Sequence, residues 1–144
     1  MMIFIIDSNI IFSALLKEGK IRELLIDSPF ILYAPEATLV EIRKHEEVIL
    51  KKSGLTKDEF RTLFGFIIGN ISIVNKEDYK KYIVEAEEII GSVDRDDIPF
   101  IALALAIPND GIWTEDNHFQ KQKKIPIWKT EDIIKIVELL KSYL

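Results

Sequence analysis

Residues 3–9 read Ile3-Phe4-Ile5-Ile6-Asp7-Ser8-Asn9, and this stretch decides the fold. Four consecutive apolar residues suit a strand buried on both faces, the pattern of a parallel sheet. Asp7 ends the run, and Ile10, Ile11, Ala14 and Leu15 continue at helical spacing. A strand that feeds directly into a helix opens a β–α–β unit, and the alternation repeats downstream. Phe30 to Ala34, Ile71 to Val74, Gly111 to Thr114 and Ile125 to Trp128 are further short apolar runs. Helical patterns separate them. Ile21, Leu24 and Leu25 form one, and Pro35 opens a long helix to Lys52. Thr56-x-x-Glu59 is a capping box ahead of Phe60, Leu63, Phe64 and Ile67. Asn75 caps a helix carrying Tyr79, Tyr82, Ile83, Ala86 and Ile90. Ile98 to Ile107 is very apolar, and Thr130 caps a last helix with Ile133, Ile136, Val137 and Leu140 inward. Short strands alternating with helices predict an α/β/α sandwich with a five-stranded parallel sheet and about seven helices. With 144 residues and no linker, repeat or low-complexity tract, one domain over residues 1–144 is expected.

Composition narrows the chemistry. Nineteen basic residues against twenty-four acidic leave a net charge of −5, which argues against binding nucleic acid through bulk charge alone. Cysteine is absent, so disulfides, thiol nucleophiles, iron–sulfur clusters and Cys-containing zinc sites are excluded. His45 and His118 are the only histidines, so three-His and HExxH metal sites are excluded too. No Gly-x-Gly, GxxxxGK[ST] or GxSxG string occurs. The start of the chain carries no charged leader. The longest apolar stretch, Ile98 to Pro108, has eleven residues and two prolines, too short to span a bilayer. The expectation is a soluble cytoplasmic protein with no membrane partner.

What remains is chemistry carried by carboxylates. Asp7 follows the first strand, and Asp116 follows the fourth by one residue. Asp94, Asp96 and Asp97 cluster where the apolar helix starts. Pro99 confines that start, because proline is tolerated in a first helical turn, and Asp97 falls at the N-cap or first position. Glu41 shares a helical stripe with Ala37 and Val48, which turns it partly inward. Singly, Asp7, Asp97 and Asp116 each suit an ordinary N-cap, and Glu41 suits a surface glutamate. His118 reads as a solvated loop residue and His45 as a helix-surface one. The basic pairs read as solvated faces, and Phe60, Phe64, Tyr79, Tyr82 and Trp113 as core. In parallel sheets, however, functional groups gather beyond the carboxyl ends of the strands. Carboxylates converging there repel and raise one another's pKa values. A hard divalent cation such as Mg²⁺ or Mn²⁺ removes that penalty, polarises phosphoryl oxygens and activates water.

These residues resemble a known family. Ile5-Ile6-Asp7-Ser8-Asn9, Leu39-Val40-Glu41-Ile42, the run Asp94 to Ala104, and Trp113-Thr114-Glu115-Asp116-Asn117-His118-Phe119 occur in order. Together they resemble the motifs of the PIN domain, the small metal-dependent ribonuclease fold of toxins in VapBC-type toxin–antitoxin modules. The resemblance implies a sheet with strands one and four adjacent. It also implies a catalytic quartet of Asp7, Glu41, Asp97 and Asp116 holding Mg²⁺ or Mn²⁺. Asp94 would be an additional metal-binding acid, with Asn9 and Thr114 as polar support, while Asp96 has no counterpart. The implied activity is endoribonucleolytic cleavage of single-stranded or structured RNA. The implied partners are an antitoxin protein and a second copy in a homodimer. A departure is the full helix from Ser53 to Gly69, which suits a stand-alone protein better than a toxin. The alternative is a non-catalytic PIN-fold protein that docks RNA or a protein partner, a role that loss of a quartet acid would favour. A haloacid dehalogenase-type phosphatase needs a second Asp at position 9, where Asn9 stands.

Overall fold

The structure, a computed structural model, describes residues 1–143. Five strands, β1 (Ile3–Ile6), β2 (Ile31–Pro35), β3 (Ser72–Val74), β4 (Ile112–Trp113) and β5 (Ile127–Trp128), form one sheet in the order β3-β2-β1-β4-β5. All pairings are parallel: Ile3 lies against Ile31, Ile5 against Ile112, Tyr33 against Ser72 and Trp113 against Trp128. The order reverses between β1 and β4, because β1 leads to β2 on one side and β4 returns on the other. That is the topological switch point, where a crevice opens outside the strand ends.

Alternation along each strand sends successive side chains into two cores. Phe4, Ile6, Leu32, Ala34 and Trp113 enter one, and Ile5 and Ile112 enter the other. The first core is closed by α1 (Ser8–Leu16), α2 (Lys20–Ile26), α3 (Ala37–Lys44), α4 (Glu46–Ser53), α5 (Lys57–Gly69) and α8 (Thr130–Lys141). The second is closed by α6 (Ile83–Ile90) and α7 (Ile98–Ala106). The arrangement is the expected α/β/α sandwich, with eight α-helices among the described residues. Helix α7 is buried along most of its length, Ile101, Ala102 and Leu103 being fully inaccessible, which accounts for its uniformly apolar sequence. No helix among the described residues is long and apolar enough to cross a membrane.

Four local expectations need correction, the smallest being that Thr130 lies inside α8 and accepts the Trp113 indole N–H, while Lys129 holds the N-cap position. Pro35 does not open a helix. It is the last residue of β2, opposite Val74, and the following Glu36 N–H donates to the Val74 carbonyl at 2.9 Å. Sheet pairing therefore claims the residues that proline was expected to turn into a helix. The helix to Lys52 is also two helices. His45 leaves helical geometry at φ −106°, ψ 8°, and its Nδ1 lies 2.8 Å from the Glu41 carbonyl oxygen. After Asn75, whose side chain makes no capping bond, two short 3₁₀ turns precede α6. Tyr79, between those turns, is driven into the core at 2 % exposure.

One glycine is required by packing. Gly111 enters β4 at φ 134°, and a Cβ there would stand 2.4 Å from the Pro126 carbonyl oxygen and 2.7 Å from Trp128 Nε1. Its own carbonyl accepts the Ile5 N–H at 3.0 Å, so it cannot retreat without loosening β1. Gly111→Ala is expected to destabilise the protein by about 1–3 kcal/mol, as overpacking does; a denaturant melt with an unchanged midpoint would refute this.

Candidate metal centre

The residues that end β1 and β4 meet at the switch point. Asp7 stands between β1 and α1, is 5 % exposed, and makes no capping bond to the helix. Its Oδ2 instead accepts the Thr114 hydroxyl at 2.7 Å, across the β1–β4 seam. Thr114 is fully buried, and its Oγ1 also accepts the Asp116 N–H at 2.9 Å. One hydroxyl thus ties together the acids that follow two different strands. Burial pushes the Asp7 carboxyl up to about 6; the Thr114 hydrogen bond opposes this and the Asp116 charge adds to it.

Asp97 comes from the other direction. A 3₁₀ turn, Arg95–Asp97, delivers it to the position just before α7, with Pro99 inside the first helical turn. Its side chain does not cap α7, although it occupies the N-cap position. It is 5 % exposed, and its Oδ2 is buried without a hydrogen-bond partner among the described residues. Burial raises its pKa to about 8, and the charges of Asp94, Asp116, Asp7 and Asp96 add to the shift. Asp94, which opens the same turn, accepts the Asp96 N–H on Oδ1 at 2.9 Å, leaving Oδ2 toward the cluster.

Glu41, on α3, is half buried. Burial raises its pKa, the Ser8 side chain beside it lowers it, and the charges of Asp7 and Asp96 raise it further. Glu41 therefore borders the cluster from the α3 side. Of the residues picked out by motif, Asn9 is exposed at the second position of α1 and makes no side-chain hydrogen bond among the described residues.

His118 is the residue that sequence reasoning left as a solvated loop histidine. Its Nδ1 is 3.4 Å from Asp94 Oδ2 and 3.3 Å from Asp116 Oδ1. One potential ligand atom each from Asp94, Asp97 and His118 lies within 4.8 Å of the others. The available signal was its spacing: Asp116 caps a 3₁₀ turn by accepting the His118 N–H at 2.9 Å, which folds residue 118 back over residue 116.

A solvent-exposed carboxylate cluster is common, but a buried carboxylate oxygen among four other acids, with no hydrogen-bond partner among the described residues, costs free energy when ionised. The donor set, mostly carboxylate oxygen with one imidazole, fits a divalent cation. Thr114→Val is expected to remove the hydroxyl that joins Asp7 to Asp116 and to cost about 1–3 kcal/mol, the penalty for unsatisfied buried partners. An unchanged melt would show that the seam does not depend on it.

No curated protein matches the chain. The model of the PIN domain family matches residues 5–137, from the middle of β1 into α8, so that all the acids described above lie within it. With the parallel sheet, the β1–β4 adjacency and that match, the chain belongs to the PIN domain family.

Proposed function

We propose that the protein is an endoribonuclease that uses Mg²⁺ or Mn²⁺, as PIN domains are generally metal-dependent nucleases. The observation that carries this reading is the buried, unpartnered Oδ2 of Asp97 within a cluster of like charges. Asp97 and Asp94 would hold the cation, with Asp7 and Asp116 completing its surroundings. When bound, the cation supplies Lewis-acid stabilisation of the phosphoryl oxygen and lowers the pKa of water. Thr114 fixes the Asp7 carboxylate through the 2.7 Å hydrogen bond and so holds two acids in register. Glu41, whose pKa burial raises above the usual carboxylate value, would take the proton of the attacking water on its carboxylate. A net charge of −5 repels RNA, and a local cation reverses the sign where the phosphate must enter.

The sequence carries all four acids that the family resemblance implies, Asp7, Glu41, Asp97 and Asp116, which favours catalysis over a purely docking role. Within this reading, the toxin role requires growth arrest on expression and its relief by a co-expressed antitoxin. The direct test is incubation of the purified protein with a mixed single-stranded RNA pool in Mg²⁺, Mn²⁺ or chelator. Metal-dependent internal cleavage is expected; intact RNA on structured and unstructured pools alike would overturn the reading.

A further inference from the structure

We propose that His118 is a nitrogen ligand of the cation, so that the centre selects borderline transition cations such as Mn²⁺ and Co²⁺ over Mg²⁺. The inference rests on the metal-dependent reading above and concerns which cation the site takes.

Three observations carry it. First, His118 belongs to the compact donor set with Asp94 and Asp97, all three offering ligand atoms within 4.8 Å. Second, Asp97, a member of that set, has a buried Oδ2 with no hydrogen-bond partner among the described residues. Third, His118 is held in place despite 46 % side-chain exposure. Its N–H is fixed by the Asp116 carboxylate at 2.9 Å. Its neighbour Phe119 is fully buried and packs edge-on against Phe100 of α7, with ring centroids 6.3 Å apart at 86°. Phe100 lies three residues beyond Asp97 on the same chain segment. The imidazole and the orphaned carboxylate are therefore mounted on elements that are packed against one another, which is the preorganisation a metal site needs.

The ligand chemistry sets the selectivity. Mg²⁺ is hard, holds oxygen ligands and dehydrates reluctantly, so an imidazole adds little to its binding. Divalent transition cations accept imidazole nitrogen, and affinity at a mixed nitrogen–oxygen site rises from Mn²⁺ to Co²⁺. An all-carboxylate site lacks this source of discrimination. A purely structural histidine, bridging Asp94 and Asp116, would instead stabilise every cation alike by holding the acids together.

The test uses the full chain without RNA. Affinities for Mg²⁺, Mn²⁺ and Co²⁺ are measured by calorimetry for wild type and His118→Ala, with pulsed electron paramagnetic resonance of bound Mn²⁺. Wild type is expected to rank Co²⁺ above Mn²⁺ above Mg²⁺, and to show coupling of Mn²⁺ to an imidazole nitrogen. His118→Ala is expected to lose that coupling and about tenfold or more in Mn²⁺ and Co²⁺ affinity, at least the loss seen when a ligand's outer partner is removed. Its Mg²⁺ affinity should be nearly unchanged, and its metal-free melting temperature should match wild type. Equal losses for all three cations, or nitrogen coupling that persists in the variant, would overturn the proposal, as would a wild type that binds none of them. A wild type that discriminates through His118 yet leaves RNA intact would sink the ribonuclease reading alone.

Discussion

Asp97→Asn is expected to abolish RNA cleavage while leaving the metal-free protein at least as stable as wild type. Asp97 is 5 % exposed, and one of its carboxylate oxygens has no partner among the described residues. Its pKa of about 8 means that the charged form is disfavoured in the folded state near neutral pH. Asparagine keeps the volume and one carbonyl oxygen but removes the charge that burial and four acidic neighbours oppose. Stability without metal should therefore hold or rise. A capping role would predict unchanged activity, since Asn and Asp cap equally well, but the Asp97 side chain caps nothing. A hard cation loses a buried anionic ligand, so activity should fall below detection. Asp96→Asn is the control: Asp96 is exposed, and its charge is the smallest contribution to the Asp97 shift. It should retain most of the activity. Full cleavage by Asp97→Asn, with a melt that matches wild type, would remove this residue from the reaction.

The second large effect is on pH dependence. Without metal, the melting temperature is expected to fall as pH rises from about 4 to about 8. Asp97 has an unfolded-state value of 3.8 and a folded value of about 8, so across that window the folded chain binds a proton that the unfolded chain has released. Stability then drops with rising pH, by up to about 1.4 kcal/mol per pH unit for each such group. Asp7, at about 6, adds the same sign between pH 3.8 and 6, and Glu41 adds in the same direction. The contribution is fully present below pH 3.8 and is lost once pH passes the folded values. A cation that binds the folded state at 100 times its Kd restores about 2.7 kcal/mol by mass action. It binds best once the acids are ionised, so Mn²⁺ should flatten the profile most strongly near pH 8. A metal-free melting temperature that is level from pH 4 to 8 would contradict the burial of these acids.

The sheet was legible in the sequence because its strands are buried on both faces and so read as unbroken apolar runs. Asp7 and Asp116 were legible because they sit where such runs stop. The break at His45 was hidden, since Ile42 and Ile49 keep helical spacing on both sides of it and both enter the same core. Pro35 misled because proline suits the first turn of a helix and the end of a strand equally, and only the partner strand decides between them. Glu41 was placed by its stripe, although Val48 on that stripe is 48 % exposed, because α4 starts afresh after His45. His118 was missed for a different reason. Its position depends on a 3₁₀ turn capped by Asp116 and anchored by Phe119, and no periodicity announces a turn of that kind.

The pairing of β1 with β4 also orders events in time. Asp7 and the hydroxyl that holds it are separated by 107 residues of chain. A ribosome adding about 5–20 residues per second needs roughly 5–20 s to pass from one to the other. During that interval β1 has only β2, and then β3, on one side, and its other edge is bare. The carboxylates of Asp97 and Asp116 have not yet been brought to Asp7, so the growing chain has no assembled centre. Any capacity to attack RNA, including the message being translated, arises only when the last third of the chain has emerged and docked.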